Sequence, residues 1–469
     1  MTRKSQRIRD PLHNVIQFAD NDLDQTCWRA LNTRPLQRLR RIKQLGFSDY
    51  VYPGATHSRL AHSIGVFHTA RQLAAEISDR LGGPSNRFDP RKAHVAECAA
   101  LVHDIGHGPF SHAFEHALDA VKLSRKHETR TEALIRQTEL AGVFDEGFDS
   151  DFASEVAAVI LSSDPANIYA SIVSSQFDAD RLDYMRRDRL MTGSQQSVVD
   201  YEWLLKNLEV RKVNVGIDDE NVRQVETLVV NQKGIVAAEG YALSLLYLYI
   251  NVYLHKTTRG FEKIFSALLE RVAQMTIDGS FASTGLDEKH PIVSYLKQPD
   301  DVERFLRLDD TVIYGALSQF VDASDFAISS LAIRLRDRAH FECIDVSKIM
   351  AAKFEKPDSA DAATRAVARN EALVRTAKAA EIVKGRQLTL KREKDVPLVL
   401  EDERARRAAY KQRGKLSSIY LIGPDDKLHD LANVSPVVEA AGEFQAYRLY
   451  ALNDSGKALI NDALQEASR

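Results

Sequence analysis

The chain has 469 residues, of which 44% are hydrophobic and 28% are charged, and its formal net charge is −3 at pH 7. This balance is that of a soluble globular protein, and the length indicates two or three domains. A net charge near zero argues against a large basic surface, so nucleic acid is a less favoured partner. The three cysteines, Cys27, Cys98 and Cys343, form no CxxC motif and indicate thiols in a reducing compartment.

The histidines are concentrated at the start of the chain. Ten of the 14 lie within the first 127 residues. Histidine is the commonest metal ligand and a common general acid or base, so this concentration indicates a metal or catalytic site. Chance placement on the surface is the alternative.

The N-terminus is polar and contains no apolar segment of the kind a secretory signal has. Helical periodicity then dominates from about residue 23 to residue 275, with one apolar stripe per helix. Two such stripes are Leu36, Leu39, Ile42 and Leu45, and then Ile64, Phe67, Ala70 and Leu73. We predict a mainly α-helical catalytic core.

A buried helix is predicted to end at a metal-binding pair. Residues 95–102 are apolar, and His103 and Asp104 follow them directly. Adjacent helical residues point about 100° apart, so both side chains can reach one ion. An aspartate beside an apolar stretch is costly unless a cation compensates its charge. Gly106 then ends the helix, and His107 is expected one turn after His103, on the same face and lining the same cavity.

The middle of the chain contains a predicted hairpin and an apolar helix. Residues 211–215 and 226–230 have the composition of two paired strands. Residues 240–254 are apolar, but they are too few for a membrane span and include four tyrosines. We predict a buried helix there, no membrane association and a cytoplasmic location.

The amino-acid composition changes in the last third of the chain. Residues 355–415 are charged and Ala-rich at loosely helical spacing, whereas residues 417–422 and 443–452 are β-branched and aromatic. We predict a helical core over residues 1–320 and a smaller mixed α+β lobe over residues 321–469.

Several motifs occur in an order that is more specific than any one of them. They are Asp10-Pro-Leu-His13, Tyr52-Pro-Gly-Ala-Thr-His57-Ser-Arg59, His62-Ser-Ile-Gly65, His103-Asp104-Ile-Gly-His107-Gly-Pro-Phe-Ser-His112, His127-Glu128 and Asp178-Ala-Asp180-Arg-Leu-Asp183-Tyr184. The series resembles the HD superfamily, and within it the branch of deoxynucleoside triphosphate (dNTP) triphosphohydrolases. The resemblance spans about residues 7–265 and continues more weakly near residues 304–310.

This resemblance implies a set of metal ligands and a set of catalytic residues. The implied metal ligands are His62, His103, Asp104 and Asp180. The residues implied to act around the scissile phosphate are His107, His112, Glu115 and His127. Mixed imidazole and carboxylate ligation suits a divalent Mn, Fe, Co, Ni or Zn ion, with Mg as a further ion on the substrate phosphates. Such an ion would polarise a phosphate oxygen, and His112 backed by Glu115 could protonate the departing 5′-oxygen.

The resemblance also implies substrate contacts and partners. The implied phosphate contacts are Arg59, Arg181 and Tyr184, and the implied sugar contacts are Gln44, Leu45 and Asp188. The expected reaction converts a dNTP and water to a deoxynucleoside and triphosphate, in a homo-oligomer that is a dimer or a tetramer.

A regulatory nucleotide is a further expected partner. The basic cluster at residues 34–43 could bind its phosphates, or could be a solvated helix face. Three positions depart from the family pattern: Asn32 replaces an Asp that reads guanine, and Asn251 and Arg259 replace an Arg and a base-facing Tyr of the vertebrate enzyme. Base preference and guanine activation are therefore left open.

Two other functions remain as alternatives. One is a phosphodiesterase or nuclease that uses the same metal site, because HD sites cut many phosphate esters. The charged residues 355–415 are its only specific support. The other is a nucleotide sensor without activity, which the intact ligand set disfavours.

Overall fold

A computed structural model describes residues 5–82, 87–162, 165, 167–196, 198–215, 223–354, 356, 361–394, 398–408 and 418–469. Helices dominate these residues and confirm the mainly α-helical prediction. The helices are α1 (Asp22–Leu31), α2 (Arg34–Arg38), α3 (Arg59–Leu81), α4 (Pro90–Val102), α5 (His112–Ala120), α6 (His127–Gln137), α7 (Glu139–Gly147), α8 (Phe152–Leu161), α9 (Ala179–Thr192), α10 (Tyr201–Lys206), α11 (Ile235–Leu248), α12 (Lys256–Ile277), α13 (Pro291–Lys297), α14 (Val302–Phe305), α15 (Asp310–Val321), α16 (Phe326–Arg336), α17 (Val346–Phe354), α18 (Ala362–Lys394), α19 (Leu431–Val434), α20 (Pro436–Ala441) and α21 (Asp454–Ala467).

The strands form small sheets. They are β1 (Gln6–Asp10), β2 (Asn14–Phe18), β3 (Leu208–Val215), β4 (Arg223–Val230), β5 (Glu342–Asp345), β6 (Val399–Ala408), β7 (Tyr420–Ile422), β8 (Leu428–Asp430) and β9 (Glu443–Ala451). Strands β1 and β2 form an antiparallel hairpin in which Ile8 pairs with Ile16. A second sheet has the order β3-β4-β7-β8, and a third has the order β5-β9-β6.

The predicted strands are found with modest changes of length. Strands β3 and β4 pair antiparallel over eight residues each and confirm the hairpin. Strand β9 covers nearly all of the predicted residues 443–452. Strand β7 covers the end of the predicted 417–422 strand, whose first residue lies outside the described residues. Unlike its neighbours, the β4–β7 pair is parallel, with Val230 opposite Leu421.

Three helices bring the polar motifs named above to one place. Helix α3 begins after Ser58, whose side chain accepts a hydrogen bond from the Ala61 amide. Helix α4 begins at Pro90, and all of its residues from 95 to 102 are buried. Helix α9 is capped by the Asp178 side chain, and the residue after its end, Gly193, has a φ of 74°. Helices α4 and α9 both pack on α3, so the C-terminal end of α4 and the first turn of α9 meet the first turns of α3.

The charged residues 355–415 are not helical throughout. Helix α18 ends at Lys394, and Val399–Ala408 forms strand β6, which pairs with β9. The expectation of a single charged helical segment is corrected here, because the apolar start of β6 is buried, with Val399 at 2% exposure. Residues 409–415 lie outside the described part of the chain.

Residues on both sides of position 320 share one hydrophobic cluster. It includes Phe265 and Phe320 together with Leu331 and Tyr450. The division into residues 1–320 and 321–469 therefore stays a prediction.

Helix α11 and the π-helical turn Tyr249–Tyr253 cover most of the predicted apolar helix. Residues Gln232–Tyr253 are long and apolar enough to cross a membrane by composition, with a mean hydropathy of 1.4 in their most apolar window. Half of that window is buried inside the fold, and Tyr241 is 1% exposed. This helix therefore serves as a core helix of the fold.

Candidate metal centre

The four predicted metal ligands lie together at the junction of α3, α4 and α9. His62 Nε2 is 2.9 Å from Asp180 Oδ1 and 3.8 Å from Asp104 Oδ2. His103 Nε2 is 3.2 Å from Asp104 Oδ1 and 3.6 Å from Asp180 Oδ1. His62 and Asp104 are buried, whereas the side chain of Asp180 is 37% exposed and leaves the site open on one side.

The two imidazoles are oriented so that Nε2 of each faces the carboxylates. His62 Nδ1 lies 2.9 Å from Asp183 Oδ2, and His103 Nδ1–H donates to the Ala100 carbonyl at 2.8 Å. The buried Nε2 of His103 has no hydrogen-bond partner among the described residues. A buried nitrogen without a partner, facing two carboxylates, is the donor arrangement of a divalent cation site. The residues therefore fit a Mn, Fe, Co, Ni or Zn ion.

The electrostatics of the site favour positive charge. Burial opposes protonation of His62, but Asp180 and Asp183 outweigh it and raise its pKa to about 10. Burial likewise opposes ionisation of Asp104, yet the charges of Arg59 and His103 hold its pKa well below the usual range. The negative field that holds a proton on His62 is the field that would hold a cation.

A buried chain of charged groups supports His62 from behind. Asp183 Oδ1 lies 2.7 Å from His13 Nε2, and Arg187 Nε donates to Asp183 Oδ2 at 2.7 Å. Arg187 Nη1 donates in turn to Asp10 Oδ2 at 2.8 Å. Asp183 and Arg187 are fully buried. No role was predicted from the sequence for Asp183 or Arg187, although an acidic residue one turn after Asp180 was a usable signal.

The predicted catalytic residues form a second cluster beside the first. His107, His112 and His127 each place Nδ1 near the Glu115 carboxylate, at 3.3, 3.7 and 3.4 Å. The rings of His107 and His127 stack with centroids 4.0 Å apart. Burial opposes ionisation of Glu115, but the three imidazoles outweigh it and hold its pKa well below the usual range.

His107 reaches this cluster from a turn rather than from a helix. Helix α4 ends at Val102, so the expected helical turn from His103 to His107 is corrected. His107 Nε2 nevertheless lies 3.4 Å from Asp104 Oδ1, and both residues line one site. Burial, followed by the charges of Arg59 and His127, lowers the pKa of His107 to about 3 and keeps its ring neutral.

The loop before α5 is held in an unusual conformation. Phe110 and Ser111 have φ values of 53° and 56°, in the left-handed region that non-glycine residues rarely adopt. The Phe110 amide donates to Asp310 Oδ1 at 2.8 Å, and Arg59 Nε donates to Ser111 Oγ at 2.8 Å. Such strain is maintained by the surrounding contacts and is common at functional sites.

The predicted phosphate contacts are dispersed around the centre. Arg59 is buried and its Nη1 is ion-paired with Asp104, so its charge already faces the metal ligands. Arg181 donates to Gln176 Oε1 at 3.0 Å and lies near the Asp178 carboxylate, with 31% of its side chain exposed. Tyr184 is half-buried among the tyrosines near α11.

The predicted sugar contacts share one polar corner. Asp188 Oδ1 lies 2.8 Å from His57 Nε2, and Asp188 Oδ2 accepts from the Tyr253 hydroxyl at 2.7 Å. The main-chain N–H of Gln44 donates to the His57 carbonyl, so Gln44 lies beside the same histidine. The side-chain Oε1 of Gln44 is buried and has no hydrogen-bond partner among the described residues. Leu45 packs against the cluster that includes Tyr241 and Leu248.

The basic cluster at residues 34–43 is neither a free phosphate site nor a purely solvated face. Arg34 is ion-paired with Glu139 and Glu303, and Arg41 is ion-paired with Asp309. A cavity of about 560 Å³ adjoins them. It is lined by Arg34, Gln37, Arg38, Arg41, Glu303, Arg304, Leu306 and Arg307.

Known proteins are similar to this chain. A family model described as HD domain matches residues 59–185. The uncharacterized protein YwfO of Bacillus subtilis (strain 168) is 31% identical over 353 residues, which cover 74% of this chain and 74% of that protein. The deoxynucleoside triphosphate triphosphohydrolase SAMHD1 homolog of Dictyostelium discoideum is 33% identical over 228 residues, which cover 47% of this chain and 41% of that protein.

Solved structures share the fold. A crystal structure of a phosphohydrolase from Bacteroides thetaiotaomicron VPI-5482 matches with a TM-score of 0.69 at 24% identity, covering 96% of this chain and all of that chain. A hypothetical protein from Aquifex aeolicus matches with a TM-score of 0.67 at 24% identity, covering 99% of this chain and all of that chain. At this identity the likeness concerns the fold alone.

Proposed function

Since the chain belongs to the HD-domain phosphohydrolase superfamily, we propose that it hydrolyses dNTPs to deoxynucleosides and triphosphate. The observation that carries the proposal is that two clusters lie side by side. One is the predicted metal-ligand set, His62, His103, Asp104 and Asp180, and the other is the Glu115 cluster. They meet where His107 Nε2 lies 3.4 Å from Asp104 Oδ1. Similarity to proteins named deoxynucleoside triphosphate triphosphohydrolase supports the choice of substrate.

His62, His103, Asp104 and Asp180 would hold the divalent cation. When bound, such a cation supplies Lewis-acid polarisation of a phosphate oxygen and lowers the pKa of a bound water. The residues of this chain contribute orientation: Asp183 and the Ala100 carbonyl fix the two imidazoles.

The second cluster is suited to proton transfer. In the proposed reaction water attacks the α-phosphorus, the bond to the 5′-oxygen breaks, and that oxygen takes up a proton. His112 has 67% of its side chain exposed and stands beside Glu115, so it can approach a bound substrate and donate. His107 and His127 stack behind it and keep the Glu115 carboxylate in place.

Substrate recognition would use the residues around the centre. Arg59, which faces Asp104, and Arg181, which is partly exposed, would supply positive charge to a bound triphosphate. Tyr184, whose ring contacts that of Tyr253, would be a further phosphate contact. Gln44, Leu45 and Asp188 would hold the deoxyribose. An apolar side chain beside C2′ leaves a ribose 2′-hydroxyl without a partner.

The proposal includes binding of a regulatory nucleotide and assembly into a homo-oligomer. The arginine-lined cavity between α2 and α14 has the size and charge to take a nucleotide's phosphates, although several of its arginines would have to exchange carboxylate partners. The expected assembly is a homo-oligomer, dimer or tetramer.

One experiment tests the proposal against its alternatives. The purified protein is incubated with each dNTP, each rNTP or a short single-stranded DNA, with Mn²⁺ or Mg²⁺, and the products are separated by chromatography. We expect deoxynucleoside and intact triphosphate from dNTPs. Stepwise phosphate release, or cleavage of DNA with dNTPs untouched, would contradict the proposal and favour the phosphodiesterase or nuclease alternative. Binding without turnover would favour the sensor.

A further inference from the structure

The second cluster has the composition of a cation site in its own right. We propose that His107, His112, Glu115 and His127 bind a second divalent cation of the zinc class, separate from the cation held by His62 and its neighbours. One ligand atom of each of the four residues lies within 4.8 Å of those of the other three.

The distances around Glu115 match a coordination shell. Zinc–nitrogen bonds of about 2.0–2.1 Å in a tetrahedron place neighbouring ligand atoms roughly 3.3–3.4 Å apart. The Nδ1 atoms of His107 and His127 lie 3.3 and 3.4 Å from Glu115 Oε1. His112 Nδ1 is 3.7 Å from Glu115 Oε2. A separation at the 4.8 Å limit of the group would have to shorten by about 1.4 Å. The side chain of His112 is 67% exposed, so its ring is the least constrained of the four ligands by surrounding atoms.

Two of these atoms lack hydrogen-bond partners. His107 Nδ1 and Glu115 Oε1 are both buried and make no hydrogen bond with the described residues, although they face each other. A buried donor–acceptor pair at this distance would normally adopt hydrogen-bonding geometry. Atoms that converge without bonding to each other are arranged for a third group placed between them.

The opposite nitrogens of the His107 and His127 rings contact carboxylates. His107 Nε2 lies 3.4 Å from Asp104 Oδ1, and His127 Nε2 lies 3.6 Å from Glu128 Oε1. A carboxylate on the far nitrogen fixes the tautomer and ring orientation of metal-ligating histidines. Nδ1 of each ring is thereby left to face Glu115.

The donor set selects the class of cation. Three imidazole nitrogens and one carboxylate suit Zn²⁺, Co²⁺ or Ni²⁺, whereas Mg²⁺ and Ca²⁺ prefer oxygen ligands. Side-chain exposure of 67% at His112 gives the ion a path from solvent.

Occupancy of this site has a consequence for turnover, which rests on the proposed function. A cation on His112 Nδ1 and Glu115 removes the carboxylate that supports proton donation and ties the donor ring in place. The second equivalent of zinc therefore inhibits the enzyme that the first equivalent activates.

Metal stoichiometry tests the site without reference to activity. Chelator-treated protein is dialysed against Zn²⁺ or Co²⁺, and the bound metal is counted by mass spectrometry. We expect two equivalents in the wild type and one in Glu115→Gln. His62→Ala, which alters only the first set, should also retain one. The second equivalent of Co²⁺ should add its own visible absorption to that of the first, and this addition should be missing in Glu115→Gln and present in His62→Ala.

Controls separate loss of the site from loss of the fold. His127→Gln provides a second variant, and circular dichroism of each protein checks folding. One equivalent in the wild type, or two equivalents in folded Glu115→Gln, would overturn the proposal. In wild-type titrations, dNTP turnover should fall at least tenfold as the second equivalent binds, and undiminished turnover would overturn the inhibitory role. If no dNTP turns over at any loading, the proposed function fails while the stoichiometry still decides the site.

Discussion

The guanidinium of Arg38 donates a hydrogen bond of 2.8 Å to the main-chain carbonyl of His107. It also donates to the carbonyls of Ile105, at 3.2 Å, and Leu308, at 2.6 Å. Arg38 is 1% exposed and packs over the Phe305 ring at 4.3 Å. A residue of the basic cluster therefore fixes the loop between the first metal-ligand set and the Glu115 cluster, and joins it to the start of α15.

Replacement of Arg38 should destabilise this loop. Arg38→Met keeps the apolar stem but leaves three buried carbonyls without their donor, at a cost of roughly 3 kcal/mol or more in the free energy of unfolding. Urea denaturation followed by circular dichroism measures this. Arg40→Met, on the exposed side of the same segment, is the matched control and should change stability by less than about 0.5 kcal/mol. Equal stability of both variants would contradict the structural role of Arg38.

Asp183 should control metal affinity although it lies outside the first ligand set. Asp183→Asn removes the charge that fixes His62 Nδ1–H and should weaken metal binding by about 10- to 100-fold. Asp10→Asn acts one contact further away, through Arg187, and should weaken it less. Competition with a chromogenic chelator gives both affinities. An unchanged affinity in Asp183→Asn would show that His62 needs no support.

Stability should fall with rising pH because of Glu97. Burial, reinforced by the charge of Asp24 and opposed by that of Arg71, raises the pKa of Glu97 to about 8. In the unfolded chain Glu97 releases its proton near the ordinary pKa of a glutamate. The stability that protonated Glu97 contributes to the fold is therefore fully present below about pH 4.5 and is lost as the pH rises towards 8. Glu97→Gln should remove this loss and stabilise the protein at pH 8 by on the order of 3 kcal/mol. Thermal unfolding from pH 5 to pH 9 measures the effect, and parallel profiles for variant and wild type would refute it.

Sugar selectivity should follow from the Gln44, Leu45 and Asp188 corner. An unpaired buried hydroxyl costs about 1–3 kcal/mol, so dNTPs should be preferred over matched rNTPs by about tenfold or more. Leu45→Ala makes room for water beside the 2′-hydroxyl and should reduce the preference for dNTPs over rNTPs. Ratios of kcat/KM for each base decide the matter, and equal turnover of matched pairs would be incompatible with this pocket.

His112 and Arg181 should affect different kinetic parameters. His112→Ala removes the proposed proton donor and should lower kcat by about 10²- to 10⁴-fold with little change in nucleotide affinity. Arg181→Ala removes a charge near the phosphates and should cost about 1.5–3 kcal/mol in kcat/KM, whatever the base. Steady-state kinetics together with binding of a non-hydrolysable analogue separate the two effects. A large loss of affinity in His112→Ala would mean that this ring binds rather than reacts.

The sequence predicted the parts of the site that local pattern controls. An apolar run followed by His103-Asp104 predicts a buried helix that delivers both side chains at its C-terminal end, and α4 does end directly before them, at Val102, although the helical turn expected as far as His107 is absent. The support of His62 could not be predicted in the same way, because Asp10 and Arg187 are 177 positions apart and pair only after the β1–β2 hairpin docks on α9. The strand β6 could not be recognised from the sequence because charged residues surround its apolar start. Those apolar residues are buried where β6 pairs with β9.

The parallel pairing of β4 with β7 determines when this sheet can form during synthesis. Val230 and its partner Leu421 are nearly two hundred residues apart. During synthesis this edge of β4 therefore stays unpaired until the residues of β7 have been made, and such long-range strand pairing closes slowly. An unpaired edge is also a template for association with other chains. This sheet thus completes late, and before β7 pairs, the exposed edge of β4 is a site at which the nascent chain could associate with other chains.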